Sequence, residues 1–252
     1  MPSNIEKAVI LSAGMGKRLG NLFPDHPKGF IQFGQRPIVE ESIEKLLSFN
    51  IKEIIIITGY LSHFYNDLLD KYRQIKTIFN KEYRSSGSMY SLYCAREFID
   101  TDFLLLESDL IYESRAIGEV LQVPEQDVIL ISGYTNAGDE VFVETDGNKL
   151  INMSKDKGNL NNIIGEFVGI SKVSYNLFLE MARISEKKFK DTLMIDYEID
   201  GFVETAKKSD IYCHRVEDLN WSEIDDYEHY VNAKENIYPK ILLAKSKKQF
   251  IK

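Results

Sequence analysis

The sequence predicts an α/β protein on an open, mostly parallel but mixed sheet flanked by helices. Three observations carry that expectation. Apolar runs of strand length alternate with stretches of helical periodicity from the N-terminus to about residue 110. The runs are continuous rather than alternating, as in strands covered on both faces. Polar or glycine-rich loops follow several of their ends, and ligands of parallel sheets sit outside the carboxyl ends of the strands.

The elements follow in order. Ala8 to Leu11 is a buried strand that breaks into Ser12-Ala13-Gly14-Met15-Gly16-Lys17-Arg18. Small residues let a backbone approach its ligand, and successive N–H groups in such a turn cradle an anion. Lys17 and Arg18 add charge, and an Arg fork grips phosphate oxygens. Lys28 follows on a segment stiffened by Pro24 and Pro27. Phe30 to Phe33 is expected as a short strand, Gly34 to Pro37 as a turn and Ile38 to Phe49 as a helix. Ile51 to Ile57 is the second strand, Tyr60 to Tyr72 a helix and Ile75 to Phe79 the third strand. A Ser-rich loop from Arg84 then enters a helix reaching Phe98. Asp102 to Leu106 is the fourth strand and ends in Glu107-Ser108-Asp109.

The second half changes character. Strands are expected over Val128 to Gly133, Glu140 to Glu144, Leu150 to Ser154, Glu166 to Ser171 and Ile211 to Arg215. Asp146-Gly147 is a hairpin signal. Lys172 to Ile184, Lys190 to Val203 and Asp226 to Asn236 carry helical patterns, and Trp221 to Asp226 is an acidic turn. Mixed strands here extend the same sheet and add a lid. Residues 1–240 are therefore one domain, with halves 1–110 and 111–240. The Lys-rich stretch 241–252 is either a frayed end or a linker to a fused or partner domain.

Composition narrows the function. The chain has 252 residues, 44% hydrophobic and 28% charged, as soluble globular proteins do. A net charge of -8 argues against a broad nucleic-acid surface. The two cysteines, Cys94 and Cys213, make no disulfide framework and fit buried thiols in a reduced compartment. Neither a membrane-length apolar run nor a signal-peptide layout occurs, so the expectation is a cytoplasmic protein without a membrane partner.

The first loop separates three chemistries. A dinucleotide fold wants G-x-G-x-x-G and an acid after the second strand. Here Gly14, Gly16 and Gly20 are spaced one residue too long, and the second run ends in Thr58-Gly59-Tyr60. A P-loop needs Gly-Lys-Ser/Thr, which does not occur. The third pattern, L-x-A-G-x-G-x-R followed by P-K, is met in order by Leu11, Ala13, Gly14, Gly16, Arg18, Pro27 and Lys28. It resembles the nucleotidyltransferases that make sugar nucleotides and CDP-alcohols.

Acids supply the complementary half. Asp109 directly follows an apolar strand and is either a cap or a ligand for a hard cation. Glu223 and Asp225 alternate, so both can face one way in an extended segment, or they belong to a solvated acidic run with Asp226. The resemblance reaches these residues. The family has a metal-binding Asp after the fourth strand, and members acting on small phosphorylated amines or alcohols carry W-x-E-x-D near the C-terminus, as Trp221, Glu223 and Asp225 do. Through LESDLIYE and GSMYSLY the chain resembles the phosphocholine and, more closely, the 2-aminoethylphosphonate cytidylyltransferases.

That resemblance implies a Rossmann-like nucleotidyltransferase fold with a small lid and acceptor subregion. It implies Mg²⁺-dependent transfer of CMP from CTP to 2-aminoethylphosphonate, releasing pyrophosphate. Arg18 and Lys17 would hold the pyrophosphate, Lys28 and Lys155 the reacting phosphates, and Asp109, Glu223 and Asp225 the metal. Lys155 could equally be a surface lysine beside Lys157. Leu11 to Gly14, Gly16, Gly87 and Ser88 would bind the nucleotide, although Ser85, Ser86 and Ser88 also suit caps and turns. For the acceptor's head group, Glu166, Asp196 and Tyr197 pair acids with an aromatic, while Phe167 fits the core better. Phosphonate and phosphate-monoester oxygens are already charged near neutral pH, so no general base is needed. Alternatives are a phosphocholine or sugar-phosphate acceptor and a non-catalytic nucleotide-binding module. A dinucleotide oxidoreductase is disfavoured by the loop spacing.

Overall fold

The computed structural model describes residues 5–19 and 23–249. Gly20, third glycine of the loop, lies outside them. The chain builds β1 (Lys7–Ser12), α1 (Ile38–Ser48), β2 (Glu53–Thr58), α2 (His63–Lys71), β3 (Ile75–Phe79), α3 (Ser88–Cys94) and β4 (Phe103–Glu107). Next come β5 (Leu110–Tyr112), α4 (Arg115–Gln122), β6 (Val128–Ser132), β7 (Phe142–Asp146), β8 (Lys149–Ser154), β9 (Ile163–Val173) and α5 (Tyr175–Lys188). A wide helical turn, Tyr197–Phe202, leads into α6 (Val203–Ala206), β10 (Tyr212–Val216) and β11 (Trp221–Glu223). α7 (Tyr227–Asn232) and α8 (Tyr238–Gln249) follow.

Nine strands form one sheet in the order β3-β2-β1-β4-β9-β6-β10-β8-β7. β1 is parallel to β2 and β4, and β2 to β3, so the first half is the expected parallel sheet. β9 enters antiparallel to both β4 and β6, which makes the sheet mixed. At its other end β9 also pairs with β7.

Two-residue periodicity splits β1 between two cores. Ala8 and Ile10 pack on one face with Val39, Ile43 and Leu46 of α1 and Ile117 and Val120 of α4. Val9 and Leu11 pack on the other with Met89 and Leu92 of α3 and Phe178 and Met181 of α5. A continuous apolar run is what a strand covered on both sides requires. A third, smaller cluster (Leu19, Ile31, Ile38, Ile111, Ile224, Tyr238, Ile241) fastens the first loop to the C-terminal helices.

Three expectations are corrected. Phe30 to Phe33 is not a strand: Lys28–Phe30 is a single tight helical turn, and only Gln32 bridges to Pro37. Lys190 to Val203 is not one helix, because Leu193 and Ile195 run along α3's entry, where their carbonyls accept from Gly87 N and Met89 N. The acidic turn at Trp221 starts as a strand, β11, pairing with β5, which the sequence reading passed over together with α4. The stretch expected from residue 241 as a frayed end or linker begins within α8, which runs to Gln249, with Ile241 buried.

Candidate active site

The site is built where β1 and β4 end side by side. Leu11 pairs with Glu107 across the two strands, and Ser108 N donates to Leu11 O (3.1 Å). Gly16 has φ +58°, a region open to glycine at little cost. Lys28 lies against it, raised on the Lys28–Phe30 turn. The short β5–β11 ladder matches Glu223 with Leu110, and Ile224 N donates to Asp109 O (3.0 Å). That pairing carries Glu223 and Asp225 to the end of β4.

Cations and acids then meet. Lys28 Nζ lies 3.0 Å from Asp109 Oδ2 and also contacts Asp225 Oδ1. Arg18 Nη2 is 2.6 Å from Asp225 Oδ2, and its Nη1 is 3.2 Å from Asp139 Oδ2. Burial opposes charge on Lys28, but Asp109 and Asp225 outweigh it and hold its pKa above the usual lysine range. Burial likewise opposes ionisation of Asp225, but Lys28 and Arg18 prevail and keep its carboxyl low.

Carboxylate oxygens of Glu107, Asp109 and Glu223 all lie within 4.8 Å of one another. Burial, with the neighbouring carboxylates, pushes Glu107 and Glu223 well above the ordinary glutamate range. Such a set of hard oxygens, strained by like charge, fits a divalent cation such as Mg²⁺. The expected metal set was Asp109, Glu223 and Asp225. Here Asp225 faces the two cations, and Glu107 takes its place in the cluster. The sequence did carry a signal for Glu107, as the last residue of β4, two before Asp109.

A cleft of about 210 Å³ opens on this cluster. Leu11, Ser12, Ala13, Gly14, Gly16, Lys28, Gly87 and Ser88 line it, along with Glu107, Asp109 and Glu223. Ser12 is buried and its hydroxyl bonds Tyr65 OH. Lys17 is exposed on the turn after Gly16 and lines no part of the cleft. A second recess of about 70 Å³ lies on the other side of the same acids, since Glu107 and Glu223 line both. Lys155, Glu198, Asp139, Trp221 and His229 complete much of its wall.

The expected acceptor residues are not on that wall. Tyr197 is fully buried, packs edge-on against Phe167 and Phe202, and donates from its hydroxyl to Glu107 Oε1 (3.0 Å). Glu166 is buried and accepts from Thr135 N (2.8 Å) and Thr135 Oγ1 (2.7 Å), which fastens the loop before β7. Asp196 is exposed and accepts a 3.3 Å bond from Ser88 Oγ. Phe167, read as core, is buried but does edge the recess. Sequence reasoning assigned no role to Glu107, Asp139 or His229. His229 Nε2 lies 3.1 Å from Ala137 O and 3.3 Å from Asp139 Oδ1, tying α7 to the loop that carries Asp139.

A mixed sheet whose first strand opens into a glycine and cation loop, facing part-buried acids across a cleft, has the layout of an enzyme of nucleotidyl transfer. Residues 8–159 match the MobA-like NTP transferase domain, and the chain belongs to that family. It is similar to the CTP:phosphoglutamine cytidylyltransferase of Campylobacter jejuni, 25% identical over 86% of this chain and 95% of that protein. It is also similar to the 2-aminoethylphosphonate cytidylyltransferase of Lancefieldella rimae, 26% identical over 88% of this chain and 90% of the relative. The solved CTP:phosphocholine cytidylyltransferase of Streptococcus pneumoniae shares the fold, with a TM-score of 0.74 at 23% identity over 91% and 97% of the two chains. Among the described residues no helix is long and apolar enough to cross a membrane.

Proposed function

We propose that the protein transfers CMP from CTP to 2-aminoethylphosphonate, forming CMP-2-aminoethylphosphonate and pyrophosphate. One observation carries this: the cleft beside the glycine loop and the second recess share Glu107 and Glu223. A nucleotide in the first and a small acceptor in the second would therefore meet at the acids and Lys28.

The residues divide the work as follows. The backbone from Leu11 to Gly14, with Gly87 and Ser88, receives the nucleoside end. Lys28 neutralises the α-phosphate, while Arg18, with Lys17 on the same turn, takes the leaving pyrophosphate. An acceptor oxygen attacks the α-phosphorus, and the bond from that phosphorus to the bridging oxygen of the pyrophosphate breaks. Since the nucleophile is already an anion, catalysis rests on alignment and charge neutralisation. Asp109, Glu223 and Glu107 would hold Mg²⁺. When bound, the ion supplies electrostatic neutralisation of the reacting phosphates. Lys155 reaches the acceptor side from the recess wall.

A phosphocholine acceptor is the second reading, favoured by Trp221 and Phe167 on the recess wall, since aromatic faces bind quaternary ammonium. Pyrophosphate release measured with CTP, Mg²⁺ and each acceptor decides. The expected result is highest kcat/KM with 2-aminoethylphosphonate, and a strong preference for phosphocholine overturns the reading.

A further inference from the structure

Resting on that function, we propose that Glu198 selects the acceptor, by taking hydrogen bonds from a primary ammonium at the end remote from phosphorus. Glu198 lines the second recess beside Glu107, away from the glycine loop. Among the described residues neither carboxylate has a salt-bridge partner, whereas Asp109 and Asp225 are held by Lys28 and Arg18. Lys155 shares the recess wall with Glu198, and a carboxylate held in such a recess takes further hydrogen-bond donors beside it. The indole N–H of Trp221, a residue 8% exposed on the same wall, also has no partner, and a phosphonate oxygen of the acceptor would accept from it, as an ammonium cannot.

The position of Glu198 is set from two sides. Its backbone follows Tyr197, which is locked in the core between Phe167 and Phe202. Tyr197 N donates to Ser88 Oγ (3.0 Å), and Ser88 Oγ lies 3.4 Å from Glu198 Oε2. Ser88 also lines the nucleotide cleft. The carboxylate is therefore fixed next to the shared acids, a short carbon tether from the place where the acceptor oxygen must react. The Glu198 carboxylate rewards N–H donors, which a primary amine has and a quaternary amine lacks.

The test uses the full chain with CTP, Mg²⁺ and two acceptors, 2-aminoethylphosphonate and ethylphosphonate, which differ only in the amine. Wild-type protein is expected to prefer the aminated acceptor by about a hundredfold or more in kcat/KM. In Glu198→Gln that preference falls at least tenfold, through KM for the aminated acceptor. The ratio is read within one preparation, so partial unfolding of a variant cancels from it. Glu198→Asp, which keeps the charge, retains more of the preference. An undiminished ratio in Glu198→Gln overturns the role of Glu198 alone. Wild-type protein that turns over neither phosphonate overturns the proposed function and this inference together.

Discussion

Gly16 and Lys28, the glycine and the lysine of one motif, lie in direct contact: a Cβ placed on Gly16 would sit 3.0 Å from Lys28 Cγ, at φ +58°. The loop is thus a template for the lysine. Alanine at position 16 meets both a disfavoured backbone region and the lysine stem. The expected cost is about 1–2 kcal/mol of stability and about a hundredfold in kcat from displaced Lys28. Chemical denaturation and steady-state kinetics on Gly16→Ala check the two effects separately.

Lys28 is the cation shared by Asp109 and Asp225. Lys28→Ala removes it from the reacting phosphates and is expected to lower kcat by about a hundredfold to a thousandfold. Lys28→Arg keeps charge but not the compact point-charge geometry, and should recover little. Single-turnover measurements with saturating CTP separate this effect from weakened binding.

Metal dependence is expected to reside in the acids. Chelation should abolish turnover and added Mg²⁺ should restore it. Asp109→Asn should raise the Mg²⁺ concentration needed for half-maximal rate by at least tenfold. Undiminished turnover after exhaustive chelation would contradict the assignment of Glu107, Asp109 and Glu223.

Away from the site, Lys45 lies over the Tyr112 ring (4.3 Å to its centre) and 3.7 Å from Glu41. Burial lowers its pKa to about 8, Glu41 opposing and Lys245 adding to the shift. The folded protein therefore binds fewer protons than the unfolded chain between about pH 8 and the unperturbed lysine value near 10.4. The penalty for the buried ammonium is complete below pH 8 and fades as pH rises through that window. Lys45→Met should raise the melting temperature at pH 7, and the gain should shrink towards pH 10. A gain independent of pH would show that packing, not charge, is responsible.

The path of the chain explains which of these residues could be read without coordinates. Local spacing sufficed for Gly14, Gly16, Arg18 and Lys28, because a strand that ends in a glycine turn fixes its neighbours within a few residues. It also sufficed for the parallel first half, whose continuous apolar runs suit burial on both faces. Asp139 gave no such signal, and Glu198 stood out only as the neighbour of Asp196 and Tyr197. Their placement arises from long-range contacts: Tyr197 packed against Phe167 of β9, and His229 of α7 reaching the loop before β7.

The same distinction applies to two of the residues expected to meet the acceptor. Glu166 and Tyr197 have the residue types of a binding site, but burial turned one to Thr135 and the other to Glu107. The sequence by itself determined the sheet's leading half, the glycine and cation loop, and two of the three clustered acids, Asp109 and Glu223. Only the tertiary structure decided their grouping, through the antiparallel β5–β11 ladder that sets Glu223 beside Asp109 and leaves Asp225 to the cations. Strand register depends on which distant segments bury their apolar faces together, and that is a property of the whole packed chain rather than of any stretch within it.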